Sequence, residues 1–141
     1  MRIVYITPEF VTEPNSYDGG VSNHVYKLAA GVKEFGHESI VIVRSTQNNR
    51  IIHNGIKVYQ VKSIPGKVFK LLDYLTRFKF YNLLIGLQLS YDLRSKLYEI
   101  NQEKKIDIAQ YSSDDGIAFF KPKGIPTVLL GASHLRTINL A

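Results

Sequence analysis

Apolar residues follow three patterns along this chain, and each pattern predicts a different element. Residues 2–7 (Arg-Ile-Val-Tyr-Ile-Thr) form a short β-branched run bounded by Pro8, as expected of a strand buried on both faces. Residues 39–43 (Ser-Ile-Val-Ile-Val) repeat that pattern. Between the two runs, Val21, Val25, Leu28, Ala29 and Val32 recur at helical spacing and make one apolar face. Gly36 follows, a residue suited to the left-handed conformation that ends helices. Strand, helix and strand in that order make a βαβ unit, which implies a parallel sheet.

Further on, strands are predicted near 50–53 and 56–62, turned at Asn54-Gly55, a strong hairpin signal. After Pro65-Gly66 the spacing predicts two helices within 67–104. Phe69, Leu72, Leu75 and Phe78 keep a helical period in the first; Leu83, Leu87, Leu89, Leu93 and Leu97 keep it in the second. Residues 106–111 read as a strand, and 114–121 as a short helix capped by Ser113 or Asp114. Gly124-Ile125-Pro126 leads into a last strand over 127–130. The expected fold is α/β, with three layers around a mostly parallel sheet in which strand 2–7 is central.

Composition narrows the class. The chain has 141 residues, 45% hydrophobic and 21% charged, enough for one domain with its own core. It has no cysteine, which excludes disulfides and thiolate metal sites. No apolar run reaches the ~18–20 residues that cross a bilayer, and the first residues do not resemble a secretory signal. A cytoplasmic location is therefore expected. The net charge of +6 favours an anionic partner without choosing one.

Candidate chemistry concentrates between the first strand and the first helix. Residues 8–20 include Pro8, Pro14, Asn15, Ser16, Asp18, Gly19 and Gly20, and connections this long between strand and helix are usually functional or mobile. In open α/β sheets such loops line the ligand crevice at the strand carboxyl ends. Gly19 and Gly20 would let a ligand approach the backbone, and a helix start offers free amides to an anion. The competing reading is a tight turn at Gly19-Gly20, with Ser22 or Asp18 capping the helix. The segment contains neither G-x-G-x-x-G nor G-x-x-x-x-G-K-[ST], so neither a dinucleotide fingerprint nor a P-loop is present.

The run Met1-Arg2-Ile3-Val4-Tyr5-Ile6-Thr7-Pro8-Glu9-Phe10 is followed by Gly19-Gly20-Val21 and by a helix ending Glu34-Phe35-Gly36-His37-Glu38. Together these resemble the N-terminal domain of family-four glycosyltransferases. Lys105-Ile106-Asp107-Ile108 and Gly124-Ile125-Pro126-Thr127-Val128 are similar to two later strands of the same domain. The resemblance implies one half of a GT-B architecture, two facing Rossmann-like domains that transfer a sugar from a nucleotide-sugar donor with retention of configuration. Residues 1–141 would be the acceptor-side half, the donor-binding C-terminal domain would lie outside this chain, and the chain alone would be inactive. Gly19 and Gly20 would then lie near the donor diphosphate and sugar. His134 would correspond to a histidine near the reacting centre, although it comes about two positions later than in the family pattern. The acceptor would be a glycan or a lipid-linked sugar, and no cofactor is implied.

Other candidates are weaker in sequence terms. Ser112 and Asp114 sit where a strand end meets the crevice, though Asp114 also suits a helix cap. His24 lies on the first helix near the crevice, and a structural role is the competing reading. His37 follows the helix stop, where it can interact with the helix C-terminus, and His53 belongs to the hairpin. No two histidines have metal-ligand spacing, so no metal is expected. Within 62–81, Lys62, Lys67, Lys70, Arg77 and Lys79 oppose a single acid, Asp73, amid leucines and aromatics. Such a segment either packs on the sheet with its lysines in water or lies on an anionic membrane, which would make the protein peripheral on the inner face. Nucleic acid is not expected, because no recognised binding motif occurs. The alternative to an enzyme is a non-catalytic Rossmann-like module that binds an anionic ligand or membrane surface.

Overall fold

A computed structural model describes residues 1–10, 19–64, 66–75, 80–112 and 117–130. Strands β1 (Arg2–Thr7), β2 (Glu38–Ser45), β3 (Asn49–His53), β4 (Ile56–Lys62), β5 (Ile108–Ser112) and β6 (Thr127–Leu130) form one sheet in the order β3-β4-β2-β1-β5-β6. β1 pairs in parallel with both β2 and β5, so it is central as expected. β2 with β4 and β5 with β6 are also parallel, whereas β3 runs antiparallel on β4. Helix α1 (Gly20–Glu34) connects β1 to β2, while α2 (Lys67–Leu75) and α3 (Tyr81–Glu103) lie between β4 and β5.

Strand alternation sends apolar side chains to both faces. Val4, Ile6, Ile40, Ile42 and Tyr111 join Leu89, Leu93, Leu97 and Ile100 of α3 in one buried cluster. Tyr5, Val41, Val43 and Val58 join Val25 and Ala29 of α1 in the other. The molecule is therefore helix, sheet and helix in three layers. The hydroxyl of Ser39 donates to the carbonyl of Ala29 at 2.8 Å, which ties α1 to the start of β2.

The hairpin turn forms as its sequence requires. Asn54 and Gly55 have φ of 49° and 75°, the pair of positive values that a tight twisted hairpin needs. Lys33 of α1 donates to the Asn54 carbonyl at 3.0 Å, so the turn is docked on the helix that precedes it. Gly36, with φ of 78°, follows the end of α1. The His37 amide donates back to the Val32 carbonyl, while its imidazole lies 3.3 Å from the Met1 amino group.

Two expected boundaries move. The fifth strand starts at Ile108 instead of residue 106, because Asp107 is engaged elsewhere: its carboxylate accepts the Arg2 amide at 2.6 Å and its amide donates to the Arg2 carbonyl. The short helix expected over 114–121 is replaced, over residues 117–120, by turns. Ser90 on α3 accounts for the change. Its hydroxyl donates to the Ile117 carbonyl and accepts the Phe120 amide, occupying the backbone groups that a helix would have paired.

At the amino ends of the parallel strands lies a charged knot. Arg2, only 5% exposed, donates from its guanidinium to the carbonyls of Ile100 and Lys104, which closes the C-terminal end of α3. Its Nε lies 3.3 Å from the Glu38 carboxylate, and Lys57 and Lys104 reach the same carboxylate at 2.8 and 3.0 Å. The Lys57 hydrogen bond is the main reason the Glu38 carboxyl is held down from 4.5 to about 2; Lys104 and Arg2 add to it, and partial burial opposes it. A lowered folded-state pKa stabilises the protein above the unfolded value, and that contribution is lost as pH falls from 4.5 toward 2. Glu38→Gln is expected to cost about 1–2 kcal/mol at neutral pH, less than the full shift implies because both lysines reach solvent. Urea denaturation should show the deficit shrinking below pH 4.5; a deficit that stays constant with pH would show that the carboxylate charge is not its source.

Candidate functional site

The chain runs outward from β1 through β2 to β4, then returns across α3 to lay β5 on the other side of β1. The reversal makes the carboxyl ends of β1 and β5 the switch point of the sheet, where open α/β folds form their ligand crevice. Thr7 ends β1 and Ser112 ends β5. The residues before them, Ile6 and Tyr111, are register partners on the α3 face, so Thr7 and Ser112 are directed toward the α1 face. Helix α1 is the next element after β1 in the chain.

Gly19, the N-cap of α1, has no side chain to make a capping hydrogen bond, and the first turn has no acidic residue. Ser22, expected as a cap, lies within the first turn instead and is fully buried. Its Oγ and that of Ser112 have no hydrogen-bond partner among the described residues. Thr7, also fully buried, is satisfied locally: its hydroxyl donates to the Glu9 carbonyl at 2.8 Å. Buried hydroxyls without partners are uncommon in folded proteins; one lies in the first turn of α1 and the other at the carboxyl end of β5.

The glycines are not there for backbone freedom. Gly19 has φ of −53°, and Gly20 is absent from the positive-φ glycines Gly36, Gly55 and Gly124. Neither glycine is therefore held in place by a positive φ, and Asp18, the other residue expected to cap the helix, lies outside the described residues. Among the described residues, a Cβ on Gly20 would meet nothing within 4 Å, and one on Gly19 would meet only the Glu9 carboxylate, at 3.6 Å. Among the described residues, both positions thus leave room where a side chain would stand, with a carboxylate beside Gly19.

Comparison with known protein families finds no match, and no curated protein matches the chain. The chemistry of the crevice therefore rests on its own geometry. Amides and hydroxyls supply donors, and Glu9 supplies an acceptor. A carboxylate beside a helix N-terminus already occupies part of its positive field and repels a second full anion placed against it. The mixture suits a polyhydroxylated neutral group at Gly19, with any phosphate farther along the helix start.

The remaining sequence candidates separate. His24 is exposed on α1, with no hydrogen-bond partner among the described residues. His53 stacks edge-on against Phe10 and Tyr26, with centroid distances of 6.2 and 5.7 Å, and is part of the hairpin packing. His134, Asp114 and Ser113 lie outside the described residues. Sequence reasoning missed Glu9, Thr7 and the buried position of Ser22. The last had a signal: Ser22 shares the α1 stripe with Val25 and Ala29, a polar residue at an inward-facing position. Tyr111 is buried with its hydroxyl unpartnered among the described residues, and burial pushes that phenol well above its ordinary range. It faces the α3 core, away from the crevice.

Two outcomes follow for stability. Gly20→Ala is expected to stabilise the domain by about 0.5–1 kcal/mol in urea denaturation, since helix propensity improves and no atom is in the way; a destabilised variant would mean that the fold itself needs the glycine. Ser112→Ala is expected to change stability by less than about 0.5 kcal/mol, whereas Ser90→Ala, which loses two hydrogen bonds, should cost about 1–3 kcal/mol. Equal losses for the two serines would show that Ser112 is already paired.

Proposed function

We propose that this chain is the acceptor-side, N-terminal Rossmann-like half of a retaining glycosyltransferase of GT-B architecture, which moves a sugar from a nucleotide-sugar donor to a glycan or lipid-linked acceptor. The observation that carries the reading is the start of α1 at the switch point: Gly19 and Gly20, neither with the positive φ that demands glycine, leave room for a Cβ among the described residues, and the buried hydroxyls of Ser22 in the first turn of α1 and Ser112 at the end of β5 have no partner among them. The resemblance of Met1–Phe10, Gly19-Gly20-Val21 and the two later strands to family-four glycosyltransferases supports it independently. In this reading the sugar of the donor lies against Gly19 and Gly20. The amides at the helix start face its diphosphate, and Glu9 accepts from a hydroxyl. Nucleotide binding falls to a second domain, so these residues act on the reacting end of the donor and not on its base. His134 and Asp114 remain candidates for the reacting centre and the acceptor, and the nucleotide-sugar is a substrate, with no cofactor required.

The rival is a binding module of the same fold without catalysis. Turnover separates the two. A polypeptide that joins this domain to a donor-holding domain is expected to transfer sugar with retained anomeric configuration, read by NMR. In that polypeptide Gly20→Val should lower kcat/KM roughly ten- to a hundred-fold, equivalent to about 1.4–2.7 kcal/mol, at unchanged melting temperature. The 141-residue chain alone should show no turnover. Wild-type turnover in a stable Gly20→Val variant would remove the glycine pair from the site, and turnover by the isolated chain would overturn its assignment as one half of the enzyme.

A further inference from the structure

A second feature lies at the same edge of the sheet, beyond the carboxyl ends of β2 and β4. β4 ends at Lys62 and α2 starts at Lys67, so the helix sits at the rim. Every described side chain of α2 is exposed, including Leu71 at 59%, Tyr74 at 72% and Leu75 at 67%. Phe80, Tyr81 and Leu83, at the start of α3, and Ile64, before α2, extend the exposed apolar surface. An apolar cluster of this kind marks an interaction site in a soluble domain.

Cations surround it. Arg44, Lys62, Lys67 and Lys70 are exposed and make no ion pair among the described residues. Arg44 and Lys62 share a cavity of about 570 Å³ with Ser45, Thr46, Ser63 and Ile64. Arg44 also borders a neighbouring cavity of about 530 Å³, lined by Asn82, Leu83, Ile85, Gly86 and Leu89. Two cations and three hydroxyls thus adjoin a recess whose wall carries three aliphatic side chains and one amide, with Arg44 at the boundary.

We propose that this corner is a docking surface for an anionic phospholipid bilayer, with Arg44 and Lys62 holding a headgroup phosphate. The leucines and aromatics of α2 and the start of α3 would enter the interface. Charge complementarity selects this occupant. Lysines can keep their ammonium groups at headgroup level while their stems lie along apolar surface, and tyrosine and phenylalanine beside them suit the boundary between water and acyl chains. A second copy of the chain fits poorly, since each carries a net charge of +6 and pairing would bring like charges together. No helix among the described residues is long and apolar enough to cross a membrane, and the surface described is one that lies on a bilayer. Neither the surface nor its test depends on sugar transfer.

The test is co-sedimentation of the 141-residue chain with vesicles of phosphatidylcholine alone, or of phosphatidylcholine mixed with phosphatidylglycerol. Binding is expected to the mixed vesicles only, and to weaken as ionic strength rises from about 0.01 to 0.15 M. Arg44→Gln and Lys62→Gln should each lower partitioning about five-fold. Leu71→Ser with Leu75→Ser should lower it further and leave the melting temperature unchanged, because both leucines are exposed. No binding to mixed vesicles, equal binding to both kinds, or binding unaffected by these variants would each overturn the proposal. Glycerol phosphate retained by Arg44 and Lys62 without vesicle binding would show a site for soluble phosphates instead. Self-association through Leu71 and Leu75 in sedimentation velocity, without vesicle binding, would show a dimer interface instead.

Discussion

The buried guanidinium of Arg2 is the joint on which the other elements depend. It stands at the amino end of the central strand, closes the last carbonyls of α3 and faces Glu38 at the start of β2, while its own backbone is bracketed by Asp107 just before β5. A charge at this depth is tolerated only when its hydrogen-bonding capacity is met by fixed partners. Here Nη1 bonds two carbonyls of α3's end while Nε, with no hydrogen bond among the described residues, faces the Glu38 carboxylate at 3.3 Å, so β1, β2, α3 and the start of β5 must arrive in one arrangement. The opposite ends of the same strands are correspondingly free of structural ion pairing among the described residues. At the end of β5 the buried Ser112 hydroxyl has no partner among the described residues.

This division explains why the two glycine-rich segments behave differently. At Asn54-Gly55 the backbone conformation demands residues that accept positive φ, and Lys33 fills the space where a Cβ of Gly55 would stand. At Gly19-Gly20 neither condition holds, and among the described residues only the Glu9 carboxylate comes near the place of a Cβ, 3.6 Å from that of Gly19. The first pair is explained by folding alone. The second is explained neither by a positive φ nor by crowding among the described residues.

Elements whose determinants are local were legible in the sequence. The βαβ unit, the hairpin and its turn, both helices within 67–104 and the last strand follow from periodicity and turn chemistry, and the central place of β1 follows from its unbroken apolar run. Features set by distant partners were not. Nothing near Ile106 signals that Asp107 serves Arg2, and nothing near Ile117 signals that Ser90 holds its carbonyl. In the candidate site, the position of Gly19 and Gly20 at the start of a helix was readable. Their ordinary φ was not, because Gly-Gly is equally natural in a turn that needs positive values. Glu9 was passed over as part of a loop, since its approach to Gly19 exists only once the crevice forms.

The long separation between Arg2 and Asp107 also governs the order in which the sheet can be completed. The hairpin closes over a handful of residues, a process of microseconds, and β1, α1 and β2 are contiguous in the chain. The bond from the Arg2 amide, by contrast, spans 105 positions, and pairings at such separations are slow because a long loop must close first. During synthesis the chain emerges from its amino terminus, so β1 can acquire β2 well before residues 108–112 exist. Throughout that interval the most buried strand of the finished molecule is an edge, with Val4, Tyr5 and Ile6 beside an open row of backbone donors and acceptors. Its vulnerability to mispairing is therefore a matter of timing, set by how soon α3 brings β5 back to it.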